Sequence, residues 1–479
     1  MSQERAPIVE MLSAYASREP MELCCPGHRQ GRQTDEETLG LLGRGAYAHD
    51  VTQVPGIDDL LAPVGAIDAA QRLAASLWGA RQTHFLVNGT TSGIQAAFLA
   101  VCREGDRVAV PRACHRSVVE GLILSGALPI WVSCPIDPIF GCAVPPDPDA
   151  LERAAADAIM VVSTRPTYHG DVAVLPWSSQ RPPQGAIRLV DEAWGAHLGL
   201  HPEQPHGACT LGADLVVNST HKTCGALSGS SMLHRCTDRV DEARLSAAVR
   251  LLTTTSPYYP MLASLDGARR WRALHGRRSV GAALDASRQA RAALAAIEGV
   301  DVADGTRAER FSGVAAFDET RLVFSAARLG WSGRAMAAAL RRHVGLEVEL
   351  ADARALIAQV SGEVDAARLI RVTDAVRTIV SSESPSEGPF TGGLPSIAPE
   401  IALSPREAYL ARHVRVPLEQ AVGRVAAEMV CPYPPGMAVV SYGERITPQV
   451  VETLRGLQVS SLRLQGCADL TLETVQVVA

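Results

Sequence analysis

Six short apolar runs alternate with helical patterns between about residue 46 and residue 250, and this alternation restricts the fold most strongly. The runs are rich in valine and isoleucine and too continuous for strands that expose one face to water. They are THFLV (83–87), RVAV (107–110), LPIWV (128–132), AIMVVS (158–163), IRLVD (187–191) and DLVVNS (214–219). Helical patterns between them, such as those starting near Thr91 and over 148–156, predict an α/β layer with a mainly parallel sheet.

The chain of 479 residues is long enough for two or three domains. The predicted parts are an N-terminal arm (1–45), a large domain (46–300), a small α+β domain (301–380), a linker (381–400) and a C-terminal domain (401–479). The linker is predicted from its Ser, Pro, Gly and Glu content. A long alanine- and arginine-rich helix is predicted near 261–300, and another helix over 404–429.

Composition excludes several classes of protein. An apolar fraction of 47% excludes a disordered chain, and a net charge of −6 lacks the basic surplus of a nucleic-acid-binding protein. No apolar run reaches the roughly 18 residues of a membrane helix, and the N-terminus lacks the apolar core of a secretion signal. Eleven cysteines without a CxxC motif favour reduced thiols in the cytoplasm.

Two other patterns are weak indications of a ligand. Arginines at 269–278 suggest either a nucleic-acid patch or a solvated helix face, and we favour the solvated face. Cys24-Cys25 with His28, and His197 with His201, are residue types that bind zinc, but neither set has a recognisable four-ligand spacing. We therefore predict no metal site.

Lys222 is the only lysine in the chain, whereas 44 residues are arginine. Drift of surface lysines to arginine preserves charge, so a lysine is kept where an amine does what a guanidinium cannot. A deprotonated lysine amine forms a Schiff base, whereas arginine stays protonated. Chance survival of one structural lysine is the alternative at this point.

Three chemically specialised groups follow predicted strands. The turn Asn88–Gly93, between a strand and a helix, is rich in hydroxyls and suits an anion, although an ordinary turn with a helix cap uses the same residues. Asp191 ends IRLVD and could bind a metal, act as a base, pair with a cationic ring nitrogen or cap a helix. Ser219 and Lys222 follow DLVVNS. A phosphate cradle, a carboxylate and a reactive lysine at one sheet edge match the needs of pyridoxal 5′-phosphate (PLP).

Over nearly its whole length the chain resembles the ornithine/lysine/arginine decarboxylases, which are fold-type I PLP enzymes. The matching blocks are PGHRQG (26–31), DVTQVPGIDDLLAPVGAI (50–67), NGTTSG (88–93), PRACHRS (111–117), PTYHGD (166–171), DEAWGAH (191–197), STHKT (219–223), TTTSPYYPMLASLD (253–266) and CPYPPGMAVVSYGE (431–444). The resemblance implies an aspartate-aminotransferase-like large domain and α-decarboxylation of a basic amino acid. It also implies at least a homodimer, because family members build each site between two subunits.

The resemblance assigns roles to individual residues. His115 would stack on the cofactor ring, Asp191 would pair with the pyridine nitrogen, and Lys222 would hold the cofactor covalently. His221 would assist protonation after carbon dioxide leaves, and Thr255 and Ser256 would approach a site from a neighbouring subunit. The predicted cofactor-binding residues are Gly89, Thr90, Thr91, Ser92, His115, Asp191, Trp194, Ser219, His221 and Lys222.

Departures from the family pattern leave the substrate open. Ser228-Gly229 stands where family members commonly carry Thr-Gln, Gln53 where they carry Glu, and Trp194 where many short members carry His. The short, wingless length favours arginine as substrate, then lysine, then ornithine. Glu347, Glu349, Asp58 and Asp59 are the acids in family-like blocks that could bind a distal cation. Transamination, oxidation and a non-catalytic regulatory role are the rival readings.

Overall fold

A computed structural model describes residues 2–21, 23–177, 185–362, 366–389, 399–433, 437–458 and 463–479. The helices are α1 (Pro7–Ala16), α2 (Glu36–Leu42), α3 (Arg44–Ala48), α4 (Ala66–Trp78), α5 (Gly89–Val101), α6 (Arg116–Ser125), α7 (Pro148–Ala156), α8 (Thr220–Thr223), α9 (Glu242–Leu251), α10 (Tyr259–Ala295), α11 (Arg307–Arg310), α12 (Gly333–Val344), α13 (Ala366–Ser382), α14 (Pro405–Leu410) and α15 (Pro448–Gln458).

The strands confirm the six predicted apolar runs to within two residues at each end. They are β1 (Gln82–Leu86), β2 (Arg107–Pro111), β3 (Leu128–Val132), β4 (Met160–Thr164), β5 (Asp171–Ala173), β6 (Ile187–Asp191), β7 (Leu215–Asn218), β8 (Ser231–Arg235), β9 (Asp301–Val302), β10 (Val314–Phe317), β11 (Arg321–Ser325), β12 (Leu350–Ala351), β13 (Leu356–Gln359), β14 (His413–Pro417), β15 (Cys431–Tyr433), β16 (Arg463–Gln465) and β17 (Thr474–Val478).

The chain forms two compact units. The first contains residues 1–100, 189–200 and 206–277, and the second contains 101–188, 201–205 and 278–479. The domain boundaries predicted from the sequence remain a prediction. Part of the predicted linker (390–398) and part of the CPYPPGM motif (434–436) lie outside the described residues.

In the first unit, strands lie in the order β1, β8, β7, β6. β6 and β7 are parallel, with Asp191 opposite Val217, so both strands end at the same edge. β8 is antiparallel to β1 and β7. Its sequence, SMLHR, mixes polar and apolar residues, and for this reason no apolar run marked it in advance.

The outermost of these four strands, β1, has one backbone donor occupied by a side chain. The Phe85 N–H donates to Gln71 Oε1 at 2.9 Å, and Gln71 is 8% exposed. Gln71 lies on α4, whose apolar face is buried. This contact satisfies a donor that an edge strand otherwise presents to other chains.

Gly93 brings α5 close to the sheet of the first unit. A Cβ atom at this position would lie 2.6 Å from Leu86 Cδ1 and 2.6 Å from Val217 Cγ1. Real Cβ atoms do not approach other carbons so closely, because interiors are packed to crystal-like density. Glycine here therefore sets how near the first turn of α5 lies to the end of β7.

In the second unit, β4, β2 and β3 are parallel neighbours. A separate four-stranded sheet, in the order β12, β13, β11, β9, packs with α12 and α13 around a core that includes Phe324, Leu340 and Ile379. This is the predicted small α+β arrangement. The parallel pairs in both units, together with the helices, give the expected α/β class.

The helix predicted over 404–429 is wrong. α14 ends at Leu410, and β14 follows and pairs with β17. The segment HVRVP alternates apolar and polar residues and ends in Pro417, which has no N–H to donate in a helix. The second core of this unit surrounds these strands and α15, and includes Leu454 and Val477.

Two buried arginines in the second unit form ion pairs. Arg307 forms ion pairs with Asp137 and Asp171, and the guanidinium is almost fully buried. Arg112 pairs with Glu444, with both side chains less than 8% exposed. A buried pair with several hydrogen bonds is costly to break, because removal of one partner leaves the other charge unpaired.

Candidate active site

Hydroxyl groups connect the N-terminal end of α5 with the ends of β7 and β8. Thr90 Oγ1 forms a hydrogen bond with Ser219 Oγ and lies 3.0 Å from Ser231 Oγ. The Gly89 N–H donates to the Gly229 carbonyl at 2.8 Å. The structure thus brings together Gly89, Thr90 and Ser219, which the sequence placed on different strand ends.

Gly229 occupies one of the positions where the sequence departs from the family pattern. Its φ is +88°, and that of Gly89 is +70°, so both lie in the region that favours glycine. The glutamine common at position 229 in the family would be strained in this conformation. Glycine at position 229 therefore suits the conformation of this turn.

The hydroxyl cluster fits a phosphate group. The first N–H groups of a helix have no intrahelical acceptor, and the helix dipole attracts an anion there. Thr220 Oγ1 and Ser230 Oγ are buried and have no hydrogen-bond partner within the described residues. These residues are direct sequence neighbours of Ser219 and Ser231. A ligand oxygen at this site would satisfy donors that are otherwise costly to bury.

The single lysine lies on α8, directly after β7. Lys222 Nζ is 4.3 Å from the centroid of the Trp194 ring, and Trp194 is buried. The Trp194 loop is held by a hydrogen bond from Trp78 Nε1 to the Ala196 carbonyl at 3.0 Å. The cation–π contact keeps the amine near the carboxyl ends of β6 and β7.

His221 is fixed in one tautomer by its surroundings. Nδ1 lies 2.7 Å from the Ser230 carbonyl, which can only accept, so Nδ1 carries the proton in the neutral ring. Burial lowers the pKa of His221 below its ordinary value, and the nearby Lys222 charge adds to this effect. Nε2 is therefore the nitrogen that can exchange a proton.

Asp191 has one carboxylate oxygen committed and one uncommitted. Oδ1 accepts the Ala193 N–H at 3.0 Å, which is the capping contact considered from the sequence. Oδ2 accepts no hydrogen bond from the part of the chain that the structure describes. Because Asp191 is 3% exposed, this oxygen suits a buried cationic partner.

A buried hydrogen-bonded line stabilises the end of β7. Asn218 Nδ2 lies 2.9 Å from His234 Nε2, and His234 Nδ1 lies 2.8 Å from Thr83 Oγ1. Burial lowers the pKa of His234 to about 3, so the ring is neutral near pH 7. The neutral ring accepts from Asn218 and donates to Thr83.

Arg272 was not predicted to contribute to the site. Its guanidinium donates to the carbonyl of Thr223, the residue after Lys222, and the side chain is 8% exposed. It fixes the last residue of α8. Ser231, which bonds Thr90, was also missed. Neither residue belongs to a motif at the end of a predicted strand, so no sequence pattern marks them.

The other residues predicted for the site lie on α5, on the segment around Gln53 and at the start of α6. Ser92 Oγ donates to the Gly89 carbonyl at 2.9 Å, and Thr91 lies in the same first turn of α5. Gln53 Nε2 lies 3.3 Å from the Thr255 carbonyl. His115 belongs to the second unit, where it caps α6 by accepting the Ser117 N–H at 3.2 Å and its ring is exposed.

The residues that the structure describes contain neither a metal-binding cluster nor a membrane-spanning helix. In those ranges, no group of three or more His, Cys, Asp and Glu side chains could hold a metal ion. No helix in the described chain is both long enough and apolar enough to cross a bilayer.

The fold and these strand-end groups define the class of protein as a fold-type I PLP enzyme. A solved structure, the lysine decarboxylase of Francisella novicida, superposes with a TM-score of 0.85 at 18% identity. The superposition covers 99% of this chain and 81% of that one. At this identity the likeness concerns the fold.

The chain belongs to the Orn/Lys/Arg decarboxylase family. The model of the family's major domain matches residues 6–318, and that of its C-terminal domain matches 394–467. An arginine decarboxylase of Bacillus subtilis is 34% identical over all of this chain and 99% of its own length. The constitutive lysine decarboxylase of Escherichia coli is 27% identical over 55% of this chain and 40% of its own length. The protein is thus a decarboxylase with PLP as cofactor.

Proposed function

We propose that this enzyme converts arginine to agmatine and carbon dioxide. The observation that carries this proposal is the similarity over the full length to relatives named arginine decarboxylase. The likeness to lysine decarboxylases covers about half of the chain, so lysine is the second candidate and ornithine the third. The position of Lys222 after β7 supports a PLP-dependent reaction on any of the three amino acids.

The proposed cofactor-binding residues are those of the first unit together with His115. We assign the phosphate to Gly89, Thr90, Thr91, Ser92 and Ser219, because the first four begin α5 and the Ser219 hydroxyl bonds that of Thr90. When bound, PLP supplies an electron sink for the electron pair left as carbon dioxide departs. His115 offers an aromatic plane for the ring.

Three further residues are proposed to act on the cofactor and the substrate: Asp191, Lys222 and His221. The uncommitted Oδ2 of Asp191 holds a proton on the pyridine nitrogen through a charge-assisted hydrogen bond. Lys222 would supply the amine that holds the cofactor, and the Trp194 ring orients this amine. The Nδ1–H of His221 is occupied by the Ser230 carbonyl, so Nε2 takes up a proton from solvent and passes it to the substrate Cα.

The contacts narrow the choice among acids proposed to bind the distal guanidinium. Asp58 is committed to the backbone N–H groups of Val64, Gly65 and Ile67. Glu347 is paired with Arg341 at 2.6 Å.

Glu349 makes no ion pair within the described residues and accepts a hydrogen bond from Tyr168 at 2.6 Å. Asp59 accepts one N–H, that of Leu61, and so retains one oxygen. We propose Glu349 first and Asp59 second, because a guanidinium needs a carboxylate with free oxygens.

The proposed assembly is a homodimer or a larger homo-oligomer in the cytoplasm. In the first unit, Met21, Leu23, Leu41 and Val64 are each at least 83% exposed, and burial of such side chains against a second copy would be favourable. The eleven cysteines are all free thiols, which supports a reducing compartment. The proposed partners are this second copy and the amino acid substrate, without nucleic acid or membrane.

A turnover assay with the holoenzyme tests the proposal. Arginine, lysine, ornithine and a neutral amino acid are each supplied, and carbon dioxide and the amine are measured beside keto acid and hydrogen peroxide. We expect arginine to give equimolar agmatine and carbon dioxide. Keto acid or peroxide would identify transamination or oxidation instead. Turnover of the neutral amino acid alone would reject a basic substrate.

A further inference from the structure

A cavity of about 290 Å³ lies against the edge strand β1 in the first unit. Its walls are residues of α4, β1 and α9 and the turn around Leu61. None of the residues assigned to cofactor binding lines it. The volume is just below the range of roughly 300–1,000 Å³ typical of pockets for drug-sized ligands, which indicates a small occupant.

The cavity wall carries more positive than negative charge. Three arginines and two acids line it, which gives a formal charge of +1. Asp68 is already paired with Arg72 at 2.6 Å. Glu242 is paired at 2.8 Å with Arg235, which lies outside the wall. Both acids are thus neutralised by neighbours.

Arg250 is the arginine of the wall that lacks an acidic partner. Arg72 pairs with Asp68, and Arg81 lies 3.1 Å from Asp238, but Arg250 forms no ion pair with any described residue. It is four residues after Ser246 on α9, so both side chains lie on the same helix face. The Ser246 hydroxyl also has no hydrogen-bond partner among the described residues.

His84 adds a third polar group to the wall. It lies on β1, lines the cavity, and its Nε2 is buried without a hydrogen-bond partner in the described chain. A buried ring nitrogen without a partner costs free energy that a ligand can recover. A cation, a hydroxyl and an imidazole therefore surround one small space.

We propose that this cavity is a second ligand site, which binds a small organic anion through Arg250, Ser246 and His84. The shared ligand chemistry is a carboxylate or phosphate group. Arg250 supplies the charge and a planar pair of donors, which suits either oxyanion. Ser246 and His84 supply neutral donors that orient it.

Titration calorimetry on the holoenzyme tests this site with inorganic phosphate and citrate as probes. The bound cofactor already fills the phosphate cradle of the active site, so added anion reports the cavity. Chloride at matched ionic strength is the control for screening. We expect at least one probe to bind and to raise the melting temperature. Preference for phosphate or for citrate then identifies which oxyanion the site takes.

Three variants decide the outcome. Arg250→Gln should weaken binding roughly tenfold or more, because a charged hydrogen bond is lost. Ser246→Leu should fill the cavity and block binding. Arg244→Gln, an exposed position on the same helix and outside the cavity wall, should bind as the wild type does. The site is refuted if neither probe binds, if Arg250→Gln or Ser246→Leu binds normally, or if Arg244→Gln loses as much affinity.

Discussion

The strand ends around Lys222 and the ion cluster around Arg307 differ in whether their buried polar groups have hydrogen-bond partners. Near Lys222, the hydroxyls of Thr220 and Ser230 are buried without a hydrogen-bond partner in the described chain. Around Arg307, both Asp137 and Asp171 accept hydrogen bonds from the guanidinium. The first region is incomplete without a ligand, whereas the second is complete in itself.

This difference separates function from stability. A buried polar group without a partner costs about 1–3 kcal/mol, so such groups persist where a ligand supplies the partner. A satisfied buried ion pair holds segments together and leaves nothing for a ligand to bind. Changes in the first region should therefore alter turnover at nearly constant stability, and changes in the second should do the reverse.

Lys222→Arg should have the largest effect on turnover. Arginine keeps the positive charge but cannot hold the cofactor covalently, so we expect turnover to fall on the order of 10⁴-fold or more. The melting temperature should change little. Borohydride treatment of the wild type should fix the cofactor on the peptide that contains Lys222. Arg278→Lys, which adds an exposed amine, is the control and should keep normal turnover. Fixation of the cofactor on a peptide without Lys222 would reject the assignment.

Arg307→Met should be the most destabilising change. Removal of the guanidinium leaves Asp137 and Asp171 buried without their cation, which costs about 3–5 kcal/mol. Urea unfolding measures the loss. Arg310→Met is the matched control, because Arg310 is 3.5 Å from Asp137 and partly exposed, and should cost about 1 kcal/mol or less. Equal losses in the two variants would contradict the comparison.

Asp191→Asn should reduce turnover by about 100-fold, or about 2.7 kcal/mol, with PLP still bound. Asparagine caps the Ala193 N–H as well as aspartate does, so only the charge is lost. Steady-state kinetics and the absorbance of bound cofactor measure the two effects separately. Near-normal turnover would mean that Asp191 acts only as a cap.

His234→Gln should change the dependence of stability on pH. Burial lowers the pKa of His234 to about 3, below the ordinary value of 6.5. Below pH 6.5 the unfolded chain therefore binds a proton at His234 that the folded chain does not bind. The free energy of unfolding falls as the pH falls through this range. The loss is about 2 kcal/mol between pH 6.5 and pH 5.

Urea unfolding at pH 6.5 and at pH 5 measures the loss of unfolding free energy that comes from His234. His234→Gln should remove it, and His275→Gln, at an exposed position, should keep it. A wild-type stability that stays constant between the two pH values would contradict the lowered pKa.

The sequence predicts what depends on local pattern. LPIWV and IRLVD match β3 and β6 residue for residue, because short runs rich in apolar residues favour strands. β8 was missed, since its polar residues are buried by partners distant in sequence, such as Thr83 for His234. The helix over 404–429 failed because β14 is stabilised by β17, about sixty residues later.

The residues of the candidate site also separate into those marked by a local sequence pattern and those positioned by distant contacts. Lys222, Asp191 and Thr90 could be proposed from the sequence, because each lies near the end of a predicted strand or the start of a predicted helix. Ser231 and Arg272 could not, because their contacts with Thr90 and Thr223 join segments far apart in the chain. The roles of His115 and Trp194 came from resemblance to the family.

The Gln71 contact has a consequence for how the protein behaves at high concentration. An exposed strand edge is a template for adding strands from other molecules, which leads to aggregation. Here the Phe85 N–H is occupied by a side chain that is 8% exposed, so an incoming strand would have to displace it. The occupied Phe85 N–H therefore opposes self-association through β1.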